Sequence, residues 1–120
     1  MLQYSSLLFA PVAVVAYYVQ HHFNHHVFVA LLGSSVLWHS SAKTSRALKY
    51  TDMALAHAAF AGSLCDYARL WRRRYVWPIV FQALVAALYA LEGQWPARAD
   101  QLHVALHVVT AAGTITNMLL

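Results

Sequence analysis

The chain has 120 residues, of which 61% are hydrophobic and only 10% are charged, and its formal net charge is +4. Soluble globular domains usually contain about 25% charged residues. The composition therefore excludes an ordinary soluble domain and indicates an integral membrane protein. The basic residues form short clusters beside apolar stretches, which is typical of contacts with lipid headgroups rather than with nucleic acid. The single cysteine, Cys65, excludes a disulfide framework.

Five apolar segments follow one another along the chain, and residues 1–42 contain no Asp, Glu, Lys or Arg. A transmembrane helix needs about 20 consecutive, mostly apolar residues. The first segment lacks the basic n-region of a signal peptide, so we interpret it as a retained span. We predict an all-α, polytopic membrane helix bundle with five transmembrane helices, forming a single integral-membrane domain over residues 1–120. The predicted spans are 2–20, 27–42, 52–70, 76–91 and 101–120.

The connectors between these segments are short and polar. The first contains four histidines, which are either metal ligands or interfacial polar residues: His21, His22, His25 and His26. Asp66 is predicted to be solvated beside a basic cluster, and Asp100 to cap the last helix. The eight basic residues divide equally between the two predicted membrane faces, so the positive-inside rule does not decide the orientation. The basic clusters are Lys43, Arg46 and Lys49, and Arg69 with Arg72, Arg73 and Arg74.

A polar stripe runs along one face of the last segment: His103, His107, Thr110, Thr114 and Asn117. Side chains three or four residues apart share a helix face. Polar side chains in a span usually face the bundle interior, where they bind a ligand or join helices by hydrogen bonds. For the threonines and the asparagine we favour hydrogen bonding between helices. Two imidazoles four residues apart are half of a metal site, which favours a metal-binding role for the histidines.

Three more polar residues are predicted to reach the same membrane face as the paired histidines. His39 lies near the end of the second segment, with Ser35 one turn before it, and Asp52 opens the third segment. Because spans alternate in direction, these residues and the start of the fifth segment fall at a similar depth. We therefore expect the second, third and fifth spans to be mutually adjacent. Three histidines with a carboxylate nearby match the composition of a catalytic zinc site.

The ordered set Ser35-Val-Leu-Trp-His39, Asp52 and His103-Val-Ala-Leu-His107 resembles the CREST superfamily of membrane hydrolases. That group includes alkaline ceramidases, adiponectin-receptor and haemolysin-III-like proteins, and GPI-remodelling proteins. The resemblance implies that His39, His103 and His107 hold Zn²⁺. It also implies that Asp52 and Ser35 are catalytic and serve the water at the metal. Members of the family have a seven-helix core, whereas five spans are predicted here.

These expectations favour a zinc-dependent hydrolase of a membrane lipid, such as a ceramide-like amide or an ester. A zinc-containing receptor or scaffold without turnover is one alternative, and a small metal carrier that uses the first connector is another. A second copy of the chain is a candidate partner. Considered alone, Asp52 is also compatible with a helix cap, Ser35 with a hydrogen bond to its own helix, and His39 with an interfacial position. His57 is predicted to be a packing residue, and the fourth segment to have no chemical role.

Overall fold

A computed structural model describes residues 2–41, 45–72 and 76–120, and these residues form helices and short turns without a strand. Lys43, Arg73 and Arg74 lie outside the described residues, as do the headgroup contacts predicted for them. A single helical turn and a 3-10 turn lead into the first long helix, so five helices of ten or more residues are present in the described part of the chain. This confirms the predicted all-α class and the predicted number of helices, but not that all five helices span a membrane. The helices are α1 (Leu2–Ser5), α2 (Phe9–Tyr18), α3 (His22–Ser40), α4 (Arg46–Trp71), α5 (Trp77–Gln94) and α6 (Ala99–Leu119), with 3-10 turns at Ser6–Leu8 and Pro96–Arg98.

The turn between α2 and α3 is tighter than predicted. Gln20 has a φ of 58°, the left-handed conformation that ends many helices. The N–H groups of Gln20 and His21 donate to the carbonyls of Tyr17 (3.2 Å) and Ala16 (2.8 Å). His21 then caps α3, because its Nδ1 accepts the N–H of Asn24 at 3.3 Å. Most of the predicted histidine-rich connector is therefore the first part of α3.

The starts of α4 and α6 also differ from the predicted boundaries. Ser45 caps α4, and its Oγ accepts the N–H of Leu48 at 3.3 Å. Asp52 therefore lies inside α4 and is not its cap. In α6 the capping position belongs to Arg98, and Asp100 lies in the first turn. The prediction that Asp100 caps α6 is therefore wrong, although an acidic side chain in the first turn still interacts favourably with the helix dipole.

The buried core lies around α2, which packs between α3 and α6. Its buried apolar residues come from four helices: Phe9, Val12, Ala13, Phe28, Leu31, Ala59 and Ala111. Ala59 and Gly62 of α4 are buried, and the Phe23 ring lies where a side chain on Gly62 would be. Among the described residues, the backbones of α3 and α6 do not approach within 8 Å. The predicted mutual adjacency therefore holds for α3 with α4 and for α4 with α6, whereas α3 and α6 meet through side chains.

Asp66 is buried at 7% exposure, which contradicts the prediction that it is solvated beside the basic cluster. His21 Nε2 lies 3.2 Å from its Oδ1, and Arg69 Nε lies 4.0 Å from the same atom. The reason is that Asp66 faces the capped start of α3 rather than solvent. A buried carboxylate requires such partners, because burying it without them is costly.

The outer surface of the helices is rich in large apolar side chains. Tyr18, Leu37 and Tyr89 lie on different helices and are each more than half exposed. Among the described helices, the one from Pro96 to Leu119 is the only one that is long and apolar enough to cross a membrane. A shorter apolar helix covers Ser6–Tyr18.

Gly113 lets α5 and α6 pack closely, and we expect Gly113→Ala to destabilise the protein. A Cβ atom at this position would lie 2.8 Å from Cγ of Phe81, so the two helices would have to separate. Overpacking of this kind typically costs about 1–3 kcal/mol. The matched control is Gly33→Ala on the exposed face of α3, where nothing beyond the adjoining backbone of the helix itself lies within 4 Å of the new Cβ. Thermal unfolding in detergent should give a lower Tm for Gly113→Ala and an equal or higher Tm for Gly33→Ala.

Candidate metal centre

Three histidines converge where the end of α3 meets the start of α6. His39 lies in the last turn of α3, and His103 and His107 lie one turn apart on α6. The ring centroids of His103 and His107 are 4.5 Å apart, and that of His39 lies 5.3 Å and 6.1 Å from them. One ring nitrogen from each lies within 4.8 Å of the others. These residues therefore form a candidate metal site, as the sequence predicts.

The second nitrogen of each α6 histidine is held by a polar side chain. His103 Nδ1 lies 2.9 Å from Oε1 of Glu92, and His107 Nδ1 lies 2.8 Å from Oγ of Ser5. A carboxylate only accepts hydrogen bonds, so the His103 proton is on Nδ1 and the lone pair is on Nε2. His103 Nε2 is buried and has no hydrogen-bond partner among the described residues. A histidine held at Nδ1 with a buried, unpaired Nε2 has the usual arrangement of a metal ligand.

Three neutral imidazoles fit zinc better than magnesium or calcium, which prefer oxygen ligands. Zinc takes histidine nitrogens at about 2.0–2.1 Å. Tetrahedral ligands at that distance lie roughly 3.4 Å apart. The observed spread of up to 4.8 Å is wider, so rotation of the side chains would draw the nitrogens together on binding.

Asp52 and Ser35 lie beside the histidines, in positions that the sequence predicts for them. Asp52 Oδ1 accepts the Ser34 hydroxyl at 3.2 Å, and its side chain lines the same cavity as Ser35 and His103. Ser35 is 1% exposed, and its Oγ lies 2.8 Å from Oγ of Ser6. Ser34 Oγ also lies 3.3 Å from the carbonyl oxygen of Leu31 in its own helix, so its one hydroxyl proton is shared between that carbonyl and Asp52. Asp52 and Ser35 therefore place a proton acceptor and a hydroxyl beside the candidate metal ligands.

A cavity of about 400 Å³ opens from this polar cluster and continues between α4, α5 and α6. Asp52, Ser35, His103 and His107 all line it. Most of the remaining wall is apolar. The polar stripe of α6 faces this cavity along its whole length, because Thr110, Thr114 and Asn117 also line it. The stripe predicted from the sequence is therefore one wall of a cavity that can accept a chain-like, mostly apolar ligand.

The sequence analysis missed four residues of the site: Ser5, Ser6, Ser34 and Glu92. Glu92 was assigned to a turn, and the segment before it to packing alone. A signal for it is present, because Glu92 and His103 are placed almost symmetrically about the short connector between two antiparallel helices. Residues at equal distances from such a connector lie opposite each other on the two helices, so their side chains can be in contact. Ser5 and Ser6 have no comparable signal, since an apolar segment does not specify which of its polar residues face inward.

The histidines of the first connector do not join the candidate metal site. His21 binds Asp66, and His25 Nδ1 lies 2.9 Å from the carbonyl oxygen of Ala13. His22 and His26 are exposed. His57 is also exposed, which contradicts its predicted packing role, and its Nδ1 lies 2.6 Å from the carbonyl oxygen of Met53 in its own helix. Among the described residues, the three histidines of the site are the only such group found.

Comparisons of the chain with protein-family models, with curated proteins and with solved structures find no match.

The contact between Glu92 and His103 gives a test of the site that does not depend on catalysis. We expect Glu92→Gln to weaken zinc binding by about 10–100-fold, because the amide no longer favours a proton on His103 Nδ1 as strongly. Competition with a zinc chelator of known affinity measures the change. The metal-free variant should keep the Tm of the metal-free wild type, which separates an effect on the ligand from an effect on folding. Equal zinc affinity in the two proteins would contradict this arrangement.

Proposed function

We propose that the protein is a multi-pass membrane hydrolase that cleaves a lipid amide, of the ceramide type, or a lipid ester with the help of zinc. The observation that supports this most strongly is the position of the histidine cluster. His103, His107, Asp52 and Ser35 line a single, largely apolar cavity, and His39 completes the histidine cluster at its end. Such a cavity joins a metal site and a proton acceptor to a space suited to an acyl chain.

The surface of the protein supports the membrane assignment. Large apolar side chains are exposed on all five long helices. The four helices α3–α6 contain 19, 26, 18 and 21 residues. At 1.5 Å per residue each is at least about 27 Å long, close to the roughly 30 Å hydrocarbon core of a bilayer. We propose that all five long helices lie in the membrane, with α1 and the 3-10 turn extending α2.

The chemistry follows from the charge that a metal brings to the cluster. Zinc, when held by His39, His103 and His107, lowers the pKa of water and polarises a carbonyl oxygen. Glu92 and Ser5 hold His103 and His107 by Nδ1, so the rings keep a fixed orientation. The apolar wall of the cavity excludes bulk water, which strengthens electrostatic interactions inside it.

Asp52 moves the protons of the reaction. Its carboxylate takes a proton from the water that attacks the carbonyl carbon, and returns it to the amine or alkoxide that leaves. The Ser34 hydroxyl at 3.2 Å holds the carboxylate in place. Ser35 donates its hydroxyl proton toward the carbonyl oxygen as negative charge develops there. Ser6, at 2.8 Å, fixes the Ser35 side chain.

The experiment is release of free fatty acid from a panel of ceramide-like amides and lipid esters by purified, zinc-loaded protein. We expect zinc-dependent release from at least one member of the panel, and its loss on treatment with a chelator. Protein with full zinc and no release from any substrate would favour a zinc-containing receptor or scaffold. A metal carrier would instead move zinc across vesicles and would need His21, His22, His25 and His26, which lie apart from the cluster in the structure.

A further inference from the structure

The cavity wall beyond the histidines contains polar groups that a plain hydrocarbon chain does not use. Gln82 of α5 and Asn117 of α6 both line the cavity, together with Thr110 and Thr114. Gln82 Oε1 and Asn117 Oδ1 are buried and have no hydrogen-bond partner among the described residues. Asn117 is only 3% exposed. Buried amide oxygens in proteins are normally paired, so two unpaired amide oxygens along one cavity point to a partner that a ligand supplies.

The register of α5 and α6 places Gln82 relative to the histidines. Glu92 contacts His103 at 2.9 Å, and Phe81 packs against Gly113, so the two helices run antiparallel with a constant offset. Gln82 therefore lies level with residues 112–113 of α6. That is five or six residues beyond His107, or roughly 8 Å along the helix axis. Asn117 lies ten residues beyond His107, or roughly 15 Å. A long acyl chain whose carbonyl is at the histidines would pass Gln82 near its middle.

We propose that the substrate is a lipid whose acyl chain has a hydroxyl group near its middle, and that Gln82 recognises this hydroxyl. The proposal rests on the proposed hydrolase function, because it takes the histidine cluster as the position of the carbonyl. A hydroxyl both donates and accepts a hydrogen bond, so it pairs with the Gln82 amide in either orientation of that group. An unmodified chain would cover the amide without pairing it, which is unfavourable. Gln82 is thus the residue that determines specificity along the chain.

The experiment compares octadecanoic acid with a series of monohydroxyoctadecanoic acids that differ in the position of the hydroxyl group. Binding to the zinc-loaded protein is measured by displacement of a fluorescent fatty acid from wild type, Gln82→Met and Val85→Met. Val85 lines the same cavity on α5, so the control introduces the same side chain nearby. Mid-chain isomers should bind wild type about 3–10-fold more tightly than octadecanoic acid, as expected for one hydrogen bond. Gln82→Met should abolish this preference and Val85→Met should keep it.

A wild-type protein without positional preference would overturn the proposal, as would an unchanged preference in Gln82→Met. The preference is the ratio of two affinities measured on the same variant. Partial unfolding lowers both affinities alike, so it does not imitate a loss of the preference. Amides and esters of the same acids separate this inference from the hydrolase function. A mid-chain preference in binding without cleavage of any amide or ester would refute the hydrolase and leave the ligand assignment standing. Cleavage without a positional preference would refute only the ligand assignment, and failure of every acid to bind together with no cleavage of any amide or ester would refute both.

Discussion

Asp52→Asn is expected to keep its zinc and to lower the rate of fatty-acid release by about 10²–10⁴-fold, the usual contribution of a positioned acid–base group. Asparagine preserves the shape of the side chain, and its carbonyl oxygen still accepts the Ser34 hydroxyl that Asp52 accepts at 3.2 Å. An amide does not take a proton from water, so the attacking water and the leaving group both lose their proton carrier. Fatty-acid release and zinc content measured on the same samples test the prediction.

The matched control for Asp52 is Asp66, a second carboxylate on the same helix. Asp66 lies fourteen positions further along α4, binds His21 and does not line the cavity. We expect Asp66→Asn to lower thermal stability while leaving the rate per folded molecule close to that of wild type. Undiminished release by Asp52→Asn would remove Asp52 from the mechanism. An equal loss of release in the two variants would show that a general structural effect explains both.

Local patterns in the sequence were enough to predict the helical class, the five long helices and the histidine site. Hydrophobic periodicity and segment length are properties of short stretches, and they indicate helices without knowledge of their neighbours. His103 and His107 share a face because they are four residues apart. Alternation of the helices then predicts that His39 and Asp52 reach the same end of the bundle, where the structure places them. These steps require the order and spacing of residues and no detail of packing.

The features of the fold and of the site that were not predicted depend on tertiary contacts that the sequence does not specify. Ser5 and Ser6 reach the site because α1 packs against α3 and α6, and α2 separates the backbones of those helices. An apolar segment gives no indication of which neighbours it will separate. Asp66 was predicted to be solvated because basic residues follow it along the chain. Its burial depends instead on His21, which is distant in sequence and is turned toward it by the cap of α3.

Replacement of both α6 histidines by alanine should remove stoichiometric zinc from the purified protein. Two of the three nitrogens that converge within 4.8 Å would be lost, and His39 alone does not hold zinc against the buffer. The control is His57→Ala, which removes an imidazole that also lines the cavity beside the three histidines. Nδ1 of His57 lies 2.6 Å from a carbonyl oxygen of its own helix, and His57 is not part of the histidine cluster. The zinc content of this variant should therefore equal that of wild type. Elemental analysis after gel filtration measures the metal, and metal-free Tm values show whether each variant folds. Stoichiometric zinc in a folded His103→Ala, His107→Ala double variant would place the metal elsewhere and remove the basis for the proposed hydrolase.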